Sequence, residues 1–430
     1  MAPGASGSSG ETLASTQPAG NYTLPMILMV TLYFGIGFIT ALNDILIPHF
    51  KDLFHLTNVE ALLVQLCFFG AYFVMSLPSG WIVGRIGYKP GIIVALATMG
   101  VGLLLFVPAS IVIAYPLFLF ALFVVGSGLA LLQVAINPYV GVLGKPETAA
   151  SRLNLCGFLN SLATTIAPKV GAAFIFIAAG ATTAQLARSV RVPYVLIAAF
   201  TFLLALVTAF VPLPELIEKS TSGTAEKLEG SALGFRHLRF AALAIFFYVG
   251  AEVAIGSIMI NFLGQPSMGG LSHVAAAGYV TLYWGGAMVG RLIGSFVMLA
   301  VRAERALAVV AASALVLVTV TIFGHGPVAL WAIVSCGLFN SVMWPCIFPL
   351  GVKGLGKFTS QGSGFMVMMV VGGAIIPEVQ GLLADKFGYQ PSYVIVLLCY
   401  AYVLFFALSG YKIKQPRFAS IPDDAPPVEP

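Results

Sequence analysis

Three acidic side chains lie inside long apolar stretches of the sequence, and they are the first candidates for chemistry. Asp44 falls within LNDILIPHF, Glu252 within YVGAE, and Glu378 directly follows Pro377. A charged side chain at the centre of a membrane helix costs about 2.5 to 3.5 kcal/mol, so each carboxylate needs a reason to be there. Such groups bind protons or hard cations, or else they are neutral and only hold helices together. Because Pro377 frees a helix carbonyl, we predict that Glu378 is structural.

Amide, hydroxyl and small side chains repeat at helical spacing in the same stretches. In the first apolar run, steps of four, three and four place on one face Tyr33, Gly37, Thr40 and Asp44. Two later runs carry similar faces, formed by Gly126, Ala130, Gln133, Asn137 and Gly141 and by Asn154, Gly157, Asn160, Thr164 and Pro168. A small, polar face on an apolar helix should line water or a partner helix. Three such faces predict a polar cavity.

The second part of the chain supplies aromatic and amide residues in pairs. These pairs are Tyr248 with Glu252, Ser257 with Asn261, Tyr279 with Tyr283, and Asn340 with Trp344. Amides and hydroxyls pair with the hydroxyls of an uncharged polyol, and aromatic rings cover its C–H surface. The alternative is hydrogen bonding and aromatic packing between helices. The candidate substrate-binding residues are Gln133, Asn137, Asn160, Tyr248, Glu252, Tyr283, Asn340 and Trp344.

The composition shows what surrounds these residues. The 430 residues are 59% hydrophobic and only 9% charged, so most of the surface must be solvated by a lipid bilayer. Soluble enzymes, nucleic-acid binders and coiled coils are excluded. The five cysteines show no CxxC or Cys/His spacing, and we expect neither a disulfide framework nor a metal site nor an organic cofactor.

Twelve apolar runs are each long enough to cross a bilayer, which predicts an all-α membrane protein. The first six are Met26–Phe50, Val59–Val83, Gly91–Ser110, Tyr115–Leu143, Leu153–Ala179 and Pro193–Val211. The second six are Phe240–Leu263, Ala275–Val301, Ala306–Phe323, Pro327–Val352, Gly362–Ala384 and Tyr393–Gly410. A polar connection separates them, giving two six-helix halves with pseudo-symmetry. The predicted organisation is a disordered tail (1–25), a first half (26–211), a linker (212–239), a second half (240–411) and a second tail (412–430).

The distribution of basic residues predicts the orientation. Most of the 21 Lys and Arg residues fall in the tails and in the loops on the same side of the membrane as the tails. The opposite loops hold only Lys51, Arg188, Arg191 and Lys386. By the positive-inside rule, both termini are cytoplasmic.

Several motifs together resemble one known family. They are LNDILIPHF at residues 42–50, GLALLQVAINPY at 128–139, RLN at 152–154, YVGAE at 248–252, GLFNS at 337–341 and GGAIIP at 372–377. This pattern is similar to the fucose/glucose-galactose branch of the major facilitator superfamily, the sugar:cation symporters related to the fucose permease. The resemblance implies the major-facilitator fold, with a substrate site between the halves near the midplane.

The resemblance also implies roles for individual residues. Asp44 takes the place of the fucose permease's protonatable aspartate, and Asn43 and Asn160 match polar positions that face its sugar. The fucose permease carries a glutamate in its fourth helix where this chain has Gln133, which makes the chain look more like the glucose/galactose members. Glu252 is the candidate replacement for that titrating group.

We therefore predict a secondary active transporter that imports a neutral hexose, such as glucose or galactose, or an N-acetylhexosamine. Asp44 would bind a proton from outside and release it inside, in a monomer in the bacterial inner membrane. Sodium coupling, a sugar uniporter, a multidrug efflux pump and a passive receptor are the alternatives. An enzyme is not predicted, because the five His residues fall at the ends of the apolar runs or in loops.

Overall fold

The chain is almost entirely helical in the computed structural model, which describes residues 22–56, 58–175, 182–214, 230–268 and 270–413. Most of the predicted tails and the centre of the predicted linker lie outside these residues. The last part of the predicted linker differs from expectation. It forms a 3₁₀ turn, Ala232–Gly234, and then the start of the seventh helix at Arg236.

The first half contains six long helices, numbered here in chain order. They are Thr23–Phe54, Asn58–Ile86, Tyr88–Leu104, Tyr115–Val142, Ala149–Ile175 and Arg191–Phe210. The short helix Phe106–Val112 extends the third, and Thr183–Ser189 precedes the sixth. Thr182 begins this last short helix with a capping box, in which its side chain and that of Gln185 satisfy each other's backbone N–H groups.

The second half also contains six helices, but more of them are interrupted. The seventh to ninth helices are Arg236–Leu263, His273–Val297 and Ala303–Phe323. The tenth consists of Gly326–Asn340 and Met343–Val352, the eleventh of Thr359–Met368 and Gly372–Phe387, and the twelfth is centred on Val394–Phe405. The tenth breaks four residues before Pro345, whose ring clashes with the carbonyl group of Ser341 and whose nitrogen cannot donate to it.

Among the described residues, ten helical segments are long and apolar enough to cross a membrane. The fifth and eighth helices are the two of the twelve that are missing from this set. Both contain basic residues, namely Arg152 and Lys169 in the fifth and Arg291 in the eighth. Large apolar side chains such as Phe210, Phe323 and Leu382 are exposed on the outside of the bundle, as lipid solvation requires.

The halves contact each other mainly through two helix pairs. The fifth helix packs against the eighth, and the second packs against the eleventh. In the second pair the backbones approach closely, since a Cβ atom on Gly80 would lie 2.7 Å from the carbonyl oxygen of Ser360. Ser151 donates a hydrogen bond to the backbone of Ser295 in the first pair. These contacts lie at the end of the bundle where the described chain begins and ends, which we call the terminal end.

Candidate functional site

The first, fourth and fifth helices meet at a small polar cluster in the first half. The Tyr33 hydroxyl donates to Oδ1 of Asn137, and Nδ2 of Asn160 donates to the backbone carbonyl oxygen of Tyr33 at 2.9 Å. The close approach requires glycine at position 37, because a Cβ atom there would overlap the carbonyl oxygen of Asn160. At Tyr33 and Gly37, the polar face predicted on the first helix therefore contacts a partner helix.

Gln133 forms a second polar pair in this half. Its Nε2 atom donates to the Tyr72 hydroxyl of the second helix at 2.9 Å. Gln133 and Asn160 are both half-buried, whereas Asn137 is buried. Neither the Gln133 side-chain carbonyl oxygen nor that of Asn160 has a hydrogen-bond partner among the described residues, so both can accept a hydrogen bond from a ligand hydroxyl.

The second half contains a larger network built around Glu252. The Tyr248 hydroxyl donates to Oε2 of Glu252 at 2.9 Å, and the Tyr283 hydroxyl donates to the Glu252 backbone carbonyl at 2.9 Å. Asn340 donates to the Tyr283 hydroxyl at 2.7 Å and accepts from the Tyr400 hydroxyl at 2.6 Å. All five side chains are buried. The network therefore ties together the seventh, eighth, tenth and twelfth helices.

Glu252 keeps one oxygen outside this network. Its Oε1 atom is buried and has no hydrogen-bond partner in the described part of the chain. Arg291 of the eighth helix contributes to the electrostatic surroundings of this carboxylate, but it forms no ion pair with it, and its hydrogen bonds within the described residues go to Gly157, Ser161 and Ser341. A buried carboxylate is tolerated more readily when it is hydrogen-bonded, and the Tyr248 hydroxyl supplies such a bond here.

Two of the remaining predicted residues, Trp344 and Glu378, lie outside these networks. Trp344 is half-buried and stacks on Phe348, with ring centroids 5.8 Å apart. Asn43 and Asp44 belong to the first helix, but their side chains are outside the described part of the structure. Glu378 is exposed and has no hydrogen bond to a described residue, so the predicted contact with the carbonyl freed by Pro377 is not observed.

The structure thus unites four of the predicted second-half residues, Tyr248, Glu252, Tyr283 and Asn340, in one network. It brings Asn137 and Asn160 together through Tyr33 but leaves Gln133 in a separate pair. These contacts are between helices, and the binding of a substrate by any of these residues stays a prediction.

Sequence reasoning missed Tyr72 and Tyr400, which belong to these networks, and Arg291, which joins the eighth helix to the fifth. Tyr72 and Tyr400 are single tyrosines in apolar helices, and nothing in their spacing distinguishes them from packing residues. Arg291 was detectable, because a basic residue in the middle of an apolar run is rare and generally functional. The sequence places it within an apolar run, but no role was predicted for it.

One cavity in the first half is unsuited to a polar ligand. It has a volume of about 290 Å³ and lies between the first, third and sixth helices. Its walls are almost entirely apolar, with residues such as Phe38, Leu96 and Phe200, so it cannot supply the hydrogen bonds that a polyol needs. Within the described residues, no three His, Cys, Asp or Glu side chains lie close enough together to hold a metal ion.

A family model described as Major Facilitator Superfamily matches residues 29–377. The chain is 48% identical to a glucose/galactose transporter of Brucella abortus biovar 1 (strain 9-941), over 92% of this chain and 96% of that protein. It is 34% identical to an L-fucose-proton symporter of Escherichia coli (strain K12), over 90% of this chain and 93% of that protein. The twelve-helix fold is similar to a crystal structure of the transporter FucP in the outward conformation, with a TM-score of 0.82, 33% identity, and coverage of 90% of this chain and 99% of that one.

Proposed function

The chain belongs to the Major Facilitator Superfamily, and from that premise we propose that it is a secondary active transporter of a neutral sugar. The expected family and its helical membrane fold are confirmed, and the chain is a multi-pass membrane protein and not an enzyme. The proposal extends to the sugar that is carried, the ion that drives its uptake and the residues that bind each of them.

The proposed substrate is a hexose such as glucose or galactose, or an N-acetylhexosamine. The observation that carries this proposal is the pair of half-buried amides, Gln133 and Asn160, whose side-chain carbonyl oxygens have no partner among the described residues. Both are neutral, as suits an uncharged sugar. The 48% identity to a protein named a glucose/galactose transporter supports the same substrate class.

The proposed coupling ion is the proton, and Asp44 is its proposed carrier. Asp44 lies in the apolar first helix, and the 34% identical relative is named an L-fucose-proton symporter. One positive charge that moves through 100 mV gains about 2.3 kcal/mol, which supports roughly fifty-fold accumulation of a neutral sugar. A single coupled carboxylate is therefore sufficient, and Glu252 is the second candidate.

The proposed setting is the bacterial inner membrane, with a monomer whose termini are cytoplasmic. In that orientation the contacts between the halves close the cytoplasmic side. This agrees with the likeness to a structure in the outward conformation. Alternating access would then require the contacts at the terminal end to break while others form at the opposite end.

The test is uptake by proteoliposomes of labelled glucose, galactose, N-acetylglucosamine and fucose. The proton and sodium gradients are collapsed separately, and protein-free liposomes are the control. We expect saturable accumulation of a hexose that disappears only with the proton gradient. If accumulation depends on the sodium gradient, the coupling ion is sodium and not the proton. Uptake that never exceeds equilibrium would indicate a uniporter. If no sugar is taken up or exchanged, the proposed function is wrong.

A further inference from the structure

Tyr72 of the second helix is a buried tyrosine whose hydroxyl has one hydrogen-bond partner among the described residues, Gln133. The Gln133 Nε2 atom donates to this hydroxyl at 2.9 Å. Tyr72 is only 3% exposed, whereas Gln133 is half-buried. Tyr72 therefore contacts the candidate sugar-binding amide from the protein interior.

The position of Tyr72 is set by close packing between the second and fourth helices. Its ring packs against that of Phe68, one turn earlier on the second helix, with ring centroids 5.5 Å apart. Two turns before Gln133, a Cβ atom on Gly126 would lie 2.8 Å from Cβ of Ala71 and 3.2 Å from the carbonyl oxygen of Phe68. A hydroxyl that is fixed on a packed helix can hold a flexible glutamine side chain in one geometry.

The contact with Tyr72 uses the NH2 end of the Gln133 amide. An amide side chain has two donors on its nitrogen and an oxygen that only accepts. Because Nε2 bonds to the Tyr72 hydroxyl, the end of Gln133 that has no partner among the described residues is Oε1. The unpaired end of this half-buried side chain is therefore a hydrogen-bond acceptor.

A neighbour on the fourth helix favours this orientation of the amide. Asn137 lies one turn after Gln133 on the same face, and its Nδ2 atom is buried with no hydrogen-bond partner among the described residues. This face therefore already carries an unpaired donor. A carbonyl oxygen from Gln133 is electrostatically complementary to that NH2 group, whereas a second NH2 group would be repelled by it.

We propose that Tyr72 is a positioning residue of the sugar site, which holds the Gln133 amide so that its carbonyl oxygen accepts a hydrogen bond from one sugar hydroxyl. Without the Tyr72 hydroxyl, the amide can rotate and the advantage of a fixed orientation is lost. With it, the site distinguishes a sugar hydroxyl from a group that cannot donate. The proposal rests on the transport function proposed above and specifies the polarity that the sugar must have at one position.

The first test measures the binding of galactose and glucose to the purified full-length transporter by titration calorimetry. Tyr72→Phe keeps the ring and removes only the hydroxyl, and we expect it to weaken affinity about three- to tenfold. When Tyr72→Phe is added to Gln133→Ala, the affinity should change by less than about twofold, because the group that Tyr72 positions is already absent. If the two losses multiply in the double variant, Tyr72 does not act through Gln133 and the proposal is wrong.

The second test does not depend on a tyrosine variant that folds. Binding is compared for the parent sugar and for its deoxy and deoxyfluoro analogues at carbons 2, 3, 4 and 6, since fluorine cannot donate a hydrogen bond. The position that contacts Gln133 is the one where the deoxy analogue loses affinity in the wild type but not in Gln133→Ala. There the fluoro analogue should bind as weakly as the deoxy analogue. If it binds as tightly as the parent sugar, or if no position meets the criterion, the proposal is wrong.

The matched control is Tyr139→Phe. Tyr139 is a buried tyrosine at the terminal end of the fourth helix, and its hydroxyl donates to the backbone carbonyl of Pro214 at 2.7 Å. Its loss should lower the melting temperature and leave sugar affinity unchanged. An equal loss of affinity in both tyrosine variants would indicate a general effect on folding and would contradict the proposal.

The two levels of the proposal fail in different ways. If the wild type binds sugar and Tyr72→Phe binds it equally well, this inference alone is refuted. If the wild type binds no sugar, the proposed function is refuted and the inference falls with it.

Discussion

The two halves of the bundle carry their polar groups in different ways. In the first half, the described amides of Gln133, Asn137 and Asn160 pair with tyrosines or with backbone, and the described cluster is neutral. In the second half, tyrosines and an amide surround the carboxylate of Glu252. The first half leaves two amides half-buried, whereas the second buries its whole network.

This difference indicates that the two halves have different roles in transport. Half-buried neutral amides suit recognition of a sugar, whose hydroxyls need paired donors and acceptors. A buried carboxylate in a hydrogen-bond network that joins four helices suits a role in holding and moving helices. On this account Asp44, in the first half, is the better candidate for the proton, because Glu252 is already engaged in the network between helices.

The largest expected effect comes from neutralising the first-half carboxylate. Asp44→Asn permanently mimics the protonated state. The variant has no proton to release, so the return of the empty carrier in its deprotonated form is lost. Gradient-driven accumulation in proteoliposomes should vanish while exchange of labelled sugar persists. Glu252→Gln is the counterpart in the second half and should slow transport without uncoupling it. If Asp44→Asn still accumulates sugar with a proton gradient alone, Glu252 becomes the coupling group.

Loss of single amides should have the next largest effect. Gln133→Ala and Asn160→Ala each remove a proposed sugar contact and should weaken binding by about 1 to 3 kcal/mol in calorimetry. Asn340→Ala should act differently, because it removes a hydrogen bond from the buried hydroxyl of Tyr283 and leaves that of Tyr400 without a partner among the described residues. It should lower the melting temperature more than it lowers sugar affinity. If Gln133→Ala and Asn160→Ala both bind sugar with unchanged affinity, these two residues do not form the sugar site.

A matched pair of glycines tests how closely the first half is packed. Gly37→Ala places a Cβ atom onto the carbonyl oxygen of Asn160, which should force the first and fifth helices apart at a cost of about 1 to 3 kcal/mol. In Gly35→Ala, two residues earlier, the nearest atom is a Leu204 methyl carbon at 4.0 Å. Thermal unfolding in detergent should therefore show a lower melting temperature for Gly37→Ala only. If both variants lower the melting temperature equally, the close contact between residue 37 and Asn160 does not stabilise the first half.

The second half offers the same comparison. A Cβ atom on Gly337 would overlap the carbonyl oxygen of Tyr283, whereas one on Gly285 would meet nothing within 4 Å. Gly337→Ala should therefore disturb the Glu252 network and slow transport, and Gly285→Ala should not. A fully active Gly337→Ala would show that this network tolerates displacement of the tenth helix.

Glu378 should give the smallest effect. It is exposed and carries no hydrogen bond to a described residue, so Glu378→Gln removes a charge without breaking a contact. Sugar uptake and its dependence on external pH should remain close to wild type. A loss of coupling in this variant would mean that a third carboxylate takes part in transport.

Much of the fold follows from the sequence for physical reasons. Apolar runs of about 20 residues predict the helices, because lipid leaves no other way to satisfy the backbone. Helical spacing also predicted that Tyr248 and Glu252 share a face, and their hydrogen bond is observed. The start of the seventh helix at Arg236 was missed, because its first turn is basic and was assigned to the polar linker.

The contacts between helices were beyond the reach of the sequence. Spacing along one helix says which residues share a face but not which helix that face meets. Thus the partner of Asn340 could not be inferred to be Tyr400, 60 residues away. For the same reason, nothing in the sequence placed Arg291 against Gly157 and Ser161 of the fifth helix.

The most direct test of the central claim is sugar-driven proton movement. Proteoliposomes that contain a pH-sensitive dye are given external galactose or glucose with no imposed ion gradient. Downhill sugar entry should acidify the interior, and the acidification should be absent in Asp44→Asn although sugar still exchanges. Sugar entry without acidification in the wild type, or entry that requires sodium, would contradict proton-coupled transport.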